Sequence, residues 1–212
     1  MRDRSVLPPI VLQDDHVALE PLSLDHVDAL ERAAADGELW KLWFTSVPAP
    51  GGTRAYVEAA LAMQAQGNAL PFAVREKSDG AIVGSTRFFD FEPNLPRVEI
   101  GYTWYAASRQ RSCVNTACKR LLLAHAFETL QCVAVQFSTD RYNHASQRAI
   151  ERLGARRDGI LRAHRLRADG SVRDSVVYSI IAVEWPDVKR LLEFKLARGA
   201  LERQLQARIH AE

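Results

Sequence analysis

The chain has 212 residues, enough for one ordinary domain and marginal for two. It is 47% hydrophobic and 25% charged with a formal net charge of +2, which excludes a disordered chain and a strongly basic, nucleic-acid-seeking surface, so no DNA partner is expected. No apolar run approaches the roughly 20 residues of a bilayer span, and no signal-length apolar core follows residues 1–9, so a cytoplasmic protein without a membrane partner is expected. Cys113, Cys118 and Cys132 form an odd set without CxxC spacing, which speaks against a disulfide framework and against a metal site.

Residues 16–22 (HVALEPL) alternate as a half-buried strand does, and Ser23 or Asp25 then caps an amphipathic helix to about Ala35. A loop with Trp40, Trp43 and Phe44 and several Pro and Gly residues leads to a second helix from Thr53 to Gln66. The period then changes. Two hairpin strands turn at Ser78-Asp79-Gly80, RVEIGYTWY gives a third, and a helix is expected over 114–130. A strand (CVAVQFST), a helix closed by Gly154 and a hairpin turning at Asp169-Gly170 follow. Residues 185–212 read as one or two polar helices, a surface cap or a homodimer contact, and the division expected is a domain over 1–188 with a helical extension over 189–212.

Three places could carry chemistry. In SRQRSCVNTACK a loop joins a strand to a helix start, where free amides suit a phosphate and Arg109, Arg111 and Lys119 add charge; the alternative is a solvated basic turn. Glu99 sits in the apolar strand VEIGY, so it is either a half-buried base or a residue of the solvent face. Asn143 and Ser146 begin a helix, as ligand-bonding groups or as an N-cap. Signatures for dinucleotide binding, P-loop hydrolysis, serine hydrolysis and zinc chemistry are absent from the sequence.

Taken in order, HVALEPL, IVGSTRF, EIGYTW, QRSCVNTACK, TDRYNHASQRAIERLGA and GILRAHRLRADGSVRDSVVYSI resemble the GNAT acyltransferases, and within them the bacterial ribosomal-protein N-terminal acetyltransferase branch. The resemblance implies an α/β (α+β) fold whose mixed sheet splays to admit acetyl-CoA, the acyl donor. It places the cofactor arm along Ile100, Gly101, Tyr102, Thr103 and Trp104. The pyrophosphate falls on Gln110, Arg111, Ser112, Cys113, Val114, Asn115 and Thr116, and a further cofactor contact on Asn143. Glu99 is the implied base, Ser146 the partner of the departing sulfur, and Trp40, Trp43 and Phe44 the acceptor wall. The implied reaction acetylates a primary amine of a small molecule or a peptide N-terminus. Cys113 and Asn115 depart from the family pattern Gln/Arg-x-x-Gly-x-Gly/Ala, so a CoA-binding module without catalysis is the rival reading, and Cys113→Gly is expected to tighten cofactor binding. A ribosome- or nucleic-acid-binding protein is a second rival.

Overall fold

The computed structural model describes residues 7–167 and 169–209, with side chains through residue 199 and that of Leu201. One eight-stranded mixed sheet runs through it: β1 (Leu12–Gln13), β2 (Val17–Pro21), β3 (Ala69–Glu76), β4 (Ile82–Glu92), β5 (Arg97–Tyr105), β6 (Ala134–Asp140), β7 (Arg156–Leu166) and β8 (Val172–Ile181). The spatial order is β1-β2-β3-β4-β5-β6-β8-β7, antiparallel everywhere except between β5 and β6. The helices are α1 (Val27–Ala35), α2 (Thr53–Ala65), α3 (Val114–Ala124), α4 (His144–Glu151) and α5 (Trp185–Ile209).

Alternation along the strands divides the apolar residues between two cores. On one face Leu70, Phe72, Phe88, Val98 and Ile100 pack with Leu122 and Leu123 of α3, Ile150 of α4 and Val188, Leu192 and Leu196 of α5. On the other, Ala73 and Trp104 meet Val27 and Leu30 of α1 and Val57 and Ala60 of α2. β4 is covered on both faces and is buried from Val83 to Phe89, with the polar Ser85, Thr86 and Arg87 inside that stretch.

The elements follow the sequence expectation with local differences. The short β1 has too few residues to show a period. Of the helix expected over 114–130, residues Val114 to Thr129 are helical, but α3 ends at Ala124 and a single π-turn, His125–Thr129, closes with Leu130 N–H donating to the His125 carbonyl at 3.0 Å. Gly154, at φ +102°, ends the α4 segment. At the β7–β8 hairpin Gly170 has φ +80° and Ser171 N–H donates to Asp169 Oδ1 at 2.9 Å, while Ala168 lies outside the described residues. The C-terminal segment is one helix running unbroken through residue 188, with Leu192 and Leu196 in the main core.

Candidate active site

The parallel ladder between β5 and β6 is short. It pairs Arg97 with Ala134, Val98 with Val135 and Glu99 with Gln136, and there it stops. Beyond Glu99 the edge of β5 that faces β6 is left without strand partners, while β6 continues to Asp140 on β8. The carboxyl ends of both strands therefore open a crevice, and α3 and α4 begin at its two sides.

A β-bulge shapes the wall of that crevice. Between Ser85–Trp104 and Arg87–Gly101 the register takes one extra residue on β5, and Tyr102 adopts φ +49°. Gly101 and Tyr102 consequently share a face: an added Cβ at Gly101 would come within 2.7 Å of the Phe89 ring, and the Tyr102 ring meets Phe89 edge-on at 5.1 Å. Thr103 turns to the opposite face.

Beneath the bulge lies Lys119. Proximity in sequence assigns its charge to the phosphate loop, but the helical period of α3 places it between Thr116 and Leu122 on the buried face, and it is 5% exposed. Its Nζ donates to Thr103 Oγ1 at 2.7 Å and Thr86 Oγ1 at 3.1 Å, and Thr103 Oγ1 in turn donates to the Gly101 carbonyl at 3.3 Å. Burial without a counter-ion lowers its pKa to about 8. Arg109 is likewise diverted from the loop, donating to Glu76 at 2.8 Å and Asp79 at 2.6 Å across the β3–β4 hairpin.

The loop at the start of α3 keeps its backbone donors free. Among the described residues the N–H groups of Arg111, Ser112, Cys113, Asn115 and Thr116 bond no backbone carbonyl, and Val114 N–H donates to Ser112 Oγ at 3.2 Å. Ser112 Oγ is anchored on the Arg109 carbonyl and Gln110 Nε2 on that of Tyr105. Exposed Arg111 takes the left-handed conformation, φ +59°, while Cys113 is helical at φ −74°. That αL residue followed by a helix start is an anion-binding concavity, and Cys113 occupies it without backbone strain, which removes the conformational part of the case for glycine there.

Glu99 lies at the apex of the crevice, 3% exposed, and is not on a solvent face. It accepts from Ser138 Oγ and, at 3.3 Å, from Gln136 Nε2, with Arg165 Nη2 at 3.5 Å. Burial raises its pKa above the usual carboxylate range, and the Ser138 hydrogen bond and the Arg165 charge oppose that rise only in part. Asn143 Oδ1 accepts Ser146 N–H at 3.0 Å, so Asn143 caps α4 as the local reading requires. Its Nδ2 donates to nothing among the described residues, so the cap leaves it available. The α1–α2 loop reaches the same region: Trp43, 50% exposed, contacts Phe44 at 5.4 Å and Tyr142 at 5.3 Å and lies under the Arg167 guanidinium at 4.6 Å. Trp40 sits in the 3₁₀ turn Leu39–Lys41, outside this aromatic group.

Several residues of the site were not foreseen: Ser138, Tyr142, Arg165 and Arg167. Gln136, Ser138 and Asp140 alternate with buried Val135, Phe137 and Thr139 on β6, and that polar stripe on a covered strand was the available signal. A cavity of about 380 Å³ between α1 and the start of β4 lies elsewhere, lined by Arg32, Asp36, Arg75 and Ser108, and contains neither Glu99 nor the α3 amides.

A mixed sheet opened between two parallel strands, with free amides at one side and a buried carboxylate at its apex, defines an acyltransferase scaffold. The chain belongs to the GNAT acetyltransferases: the family model for the acetyltransferase (GNAT) domain matches residues 16–156. It is 31% identical over 111 residues to Bacillus subtilis (strain 168) YdaF, provisionally named a ribosomal N-acetyltransferase, an alignment spanning 52% of this chain and 60% of that protein. A crystal structure from T. thermophilus, provisionally assigned as an acetyltransferase, is 37% identical with a TM-score of 0.80 over 90% of this chain and 98% of that one. Mycobacterium smegmatis RimJ, solved with a CoA-disulfide, is 25% identical with a TM-score of 0.71 over 90% of this chain and 93% of that one.

Proposed function

We propose that the protein transfers the acetyl group of acetyl-CoA to a primary amine, of a protein N-terminus or a small molecule, by direct attack within a ternary complex. The observation that carries the reading is the junction of three features in one crevice: the unpaired edge of β5, the free amides at the start of α3, and buried Glu99. The residues present fit the donor. A pyrophosphate suits the free amides of Arg111, Ser112, Cys113, Asn115 and Thr116, an amide-bearing arm suits the open strand edge Ile100–Trp104, and Asn143 Nδ2 is free to bond the arm. Bound there, the donor supplies the activated acyl group.

The chain's own groups do the rest. An amine is mostly ammonium near neutral pH, and Glu99, a more basic carboxylate because burial raises its pKa, is the group placed to take the proton directly or through water. The bulge at Tyr102 aims backbone of β5 into the crevice, where an N–H can polarise the acyl carbonyl, and Ser146 at the start of α4 can bond the departing sulfur. Holding both reactants in line contributes several kcal/mol by orientation alone. Three free cysteines suit a reducing cytoplasm.

Release of CoA thiol from acetyl-CoA, followed with a panel of N-terminal peptides, polyamines and aminoglycosides, tests the reading. Amine-dependent release is expected. Thermal stabilisation by CoA without release by any amine would replace it with a CoA-binding module, a reading that the helical φ of Cys113 does not favour.

A further inference from the structure

Among the described residues Arg87 is a buried guanidinium with no carboxylate beside it. It lies on β4 opposite Gly101 and is 2% exposed. Its guanidinium stands 4.0 Å from the Tyr102 ring centroid and 5.3 Å from that of Tyr56. Among the described residues its one hydrogen bond runs from Nη1 to the Met63 sulfur at 3.5 Å, its Nε has no partner, and no carboxylate lies within ion-pair distance. A guanidinium is always charged and carries five donors, so burying it against two rings and a thioether leaves its strongest interactions unmade. Arg167 shows the contrast: half-buried, it donates to Asp140 Oδ2 at 2.8 Å.

The register sets Arg87 on the same face of the sheet as Glu99, since Arg87 pairs with Gly101 and Phe89 with Glu99. Gly101 is two residues from Glu99 on β5, and the contacts Arg87–Tyr102, Tyr102–Phe89 and Phe89–Arg165 run in series back to the Glu99 carboxylate. Half-buried Arg173 lies near the same group, hydrogen-bonded to Ser175 Oγ. The donor's phosphates are directed to the amides of α3, at the other end of the crevice, so they do not satisfy Arg87. A second feature agrees. Residues 156–174, the hairpin at the mouth, contain six arginines against three aspartates, a local excess of positive charge in a nearly neutral chain.

We propose that the acceptor is an anionic amine, with a carboxylate a few bonds from the nucleophilic nitrogen that pairs with Arg87 while Glu99 faces the nitrogen. The proposal rests on the transferase reading and names its substrate class. Two sources share this chemistry, a free amino acid and a peptide whose first residue is acidic.

Equilibrium binding to the CoA complex, measured by calorimetry, separates them. The ligands are paired: alanine with alaninamide, and C-terminally amidated Asp-Ala-Ala-Ala with Asn-Ala-Ala-Ala. In the wild type the acid of at least one pair should bind tenfold or more tightly than its neutral partner, and the pair that discriminates identifies the source. Arg87→Gln should bring the ratio to about one, and Arg87→Lys should keep part of it. Equal binding within both pairs in the wild type, or no binding of either acid, overturns the proposal, and so does an Arg87→Gln protein that keeps the preference. The wild-type ratios decide even if a variant fails to fold. Thiol release with the same ligands reads the transferase function separately. Discrimination without release sinks the function and keeps the anion site, whereas equal turnover of neutral amines sinks the anion site alone.

Discussion

Lys119 places a stabilising substitution beneath the reacting strand. Its pKa falls from the ordinary 10.5 to about 8 because burial penalises the ammonium, a gap worth roughly 3 kcal/mol. At pH 7 folded and unfolded states both carry the proton, so the full cost is present. Between pH 8 and 10.5 the unfolded chain holds the proton that the folded one has released, and stability rises with pH through that window. Lys119→Met removes the charge and keeps most of the apolar stem. It loses two hydrogen bonds, but the Thr86 and Thr103 hydroxyls remain 2.8 Å apart and bond each other. With about 1 kcal/mol set against the gain for each lost bond, the variant should be more stable than wild type by roughly 1–2 kcal/mol at pH 7, and the advantage should shrink towards pH 10. Urea denaturation of both proteins at pH 7 and pH 10 measures this, and the difference between them cancels every other titrating group. Turnover should fall all the same, because Thr103 loses the donor that fixes its hydroxyl on the Gly101 carbonyl. A variant less stable at pH 7, or an advantage that does not change with pH, would refute the argument and make Lys119 a paired, favourable cation.

Three further outcomes are expected. Glu99→Gln should leave CoA binding intact by calorimetry and lower kcat by roughly 10²–10⁴ near pH 7, with a smaller loss at pH 9 where more amine arrives neutral; wild-type turnover across that range would exclude Glu99 as the base. Cys113→Gly should change CoA affinity by less than about threefold, because the residue it replaces already has a helical φ of −74°; a large loss of turnover would instead give the thiol a chemical role. Gly84→Ala should cost more than about 2 kcal/mol in denaturation, since its Cβ would stand 2.1 Å from the Trp104 carbonyl oxygen, a backbone atom that can yield only by parting β4 from β5.

What could be read in the sequence was whatever depends on local order. The hairpin turns at Gly80 and Gly170 were visible because each glycine has positive φ, and the loop after β5 because a helix must start where its amides are free. Glu99 was visible as a carboxylate in an apolar strand, but its burial was not: the neighbours that cover it, Gln136, Ser138 and Arg165, come from β6 and β7, and their approach is decided by pairing across the sheet. Lys119 and Arg109 were misplaced for a related reason. Charge near a loop in sequence implies charge near it in space only if the side chain points that way, and the period of α3 turned one inward while the carboxylates of the β3–β4 hairpin captured the other. Arg87 is the extreme case. Nothing adjacent to it in STRFFDF marks it as unpaired, since absence of a partner is a property of the whole fold. Such a residue can be found only after the carboxylates around it have been assigned, and that is why the charge proposed for the acceptor is argued from the structure and not from the sequence.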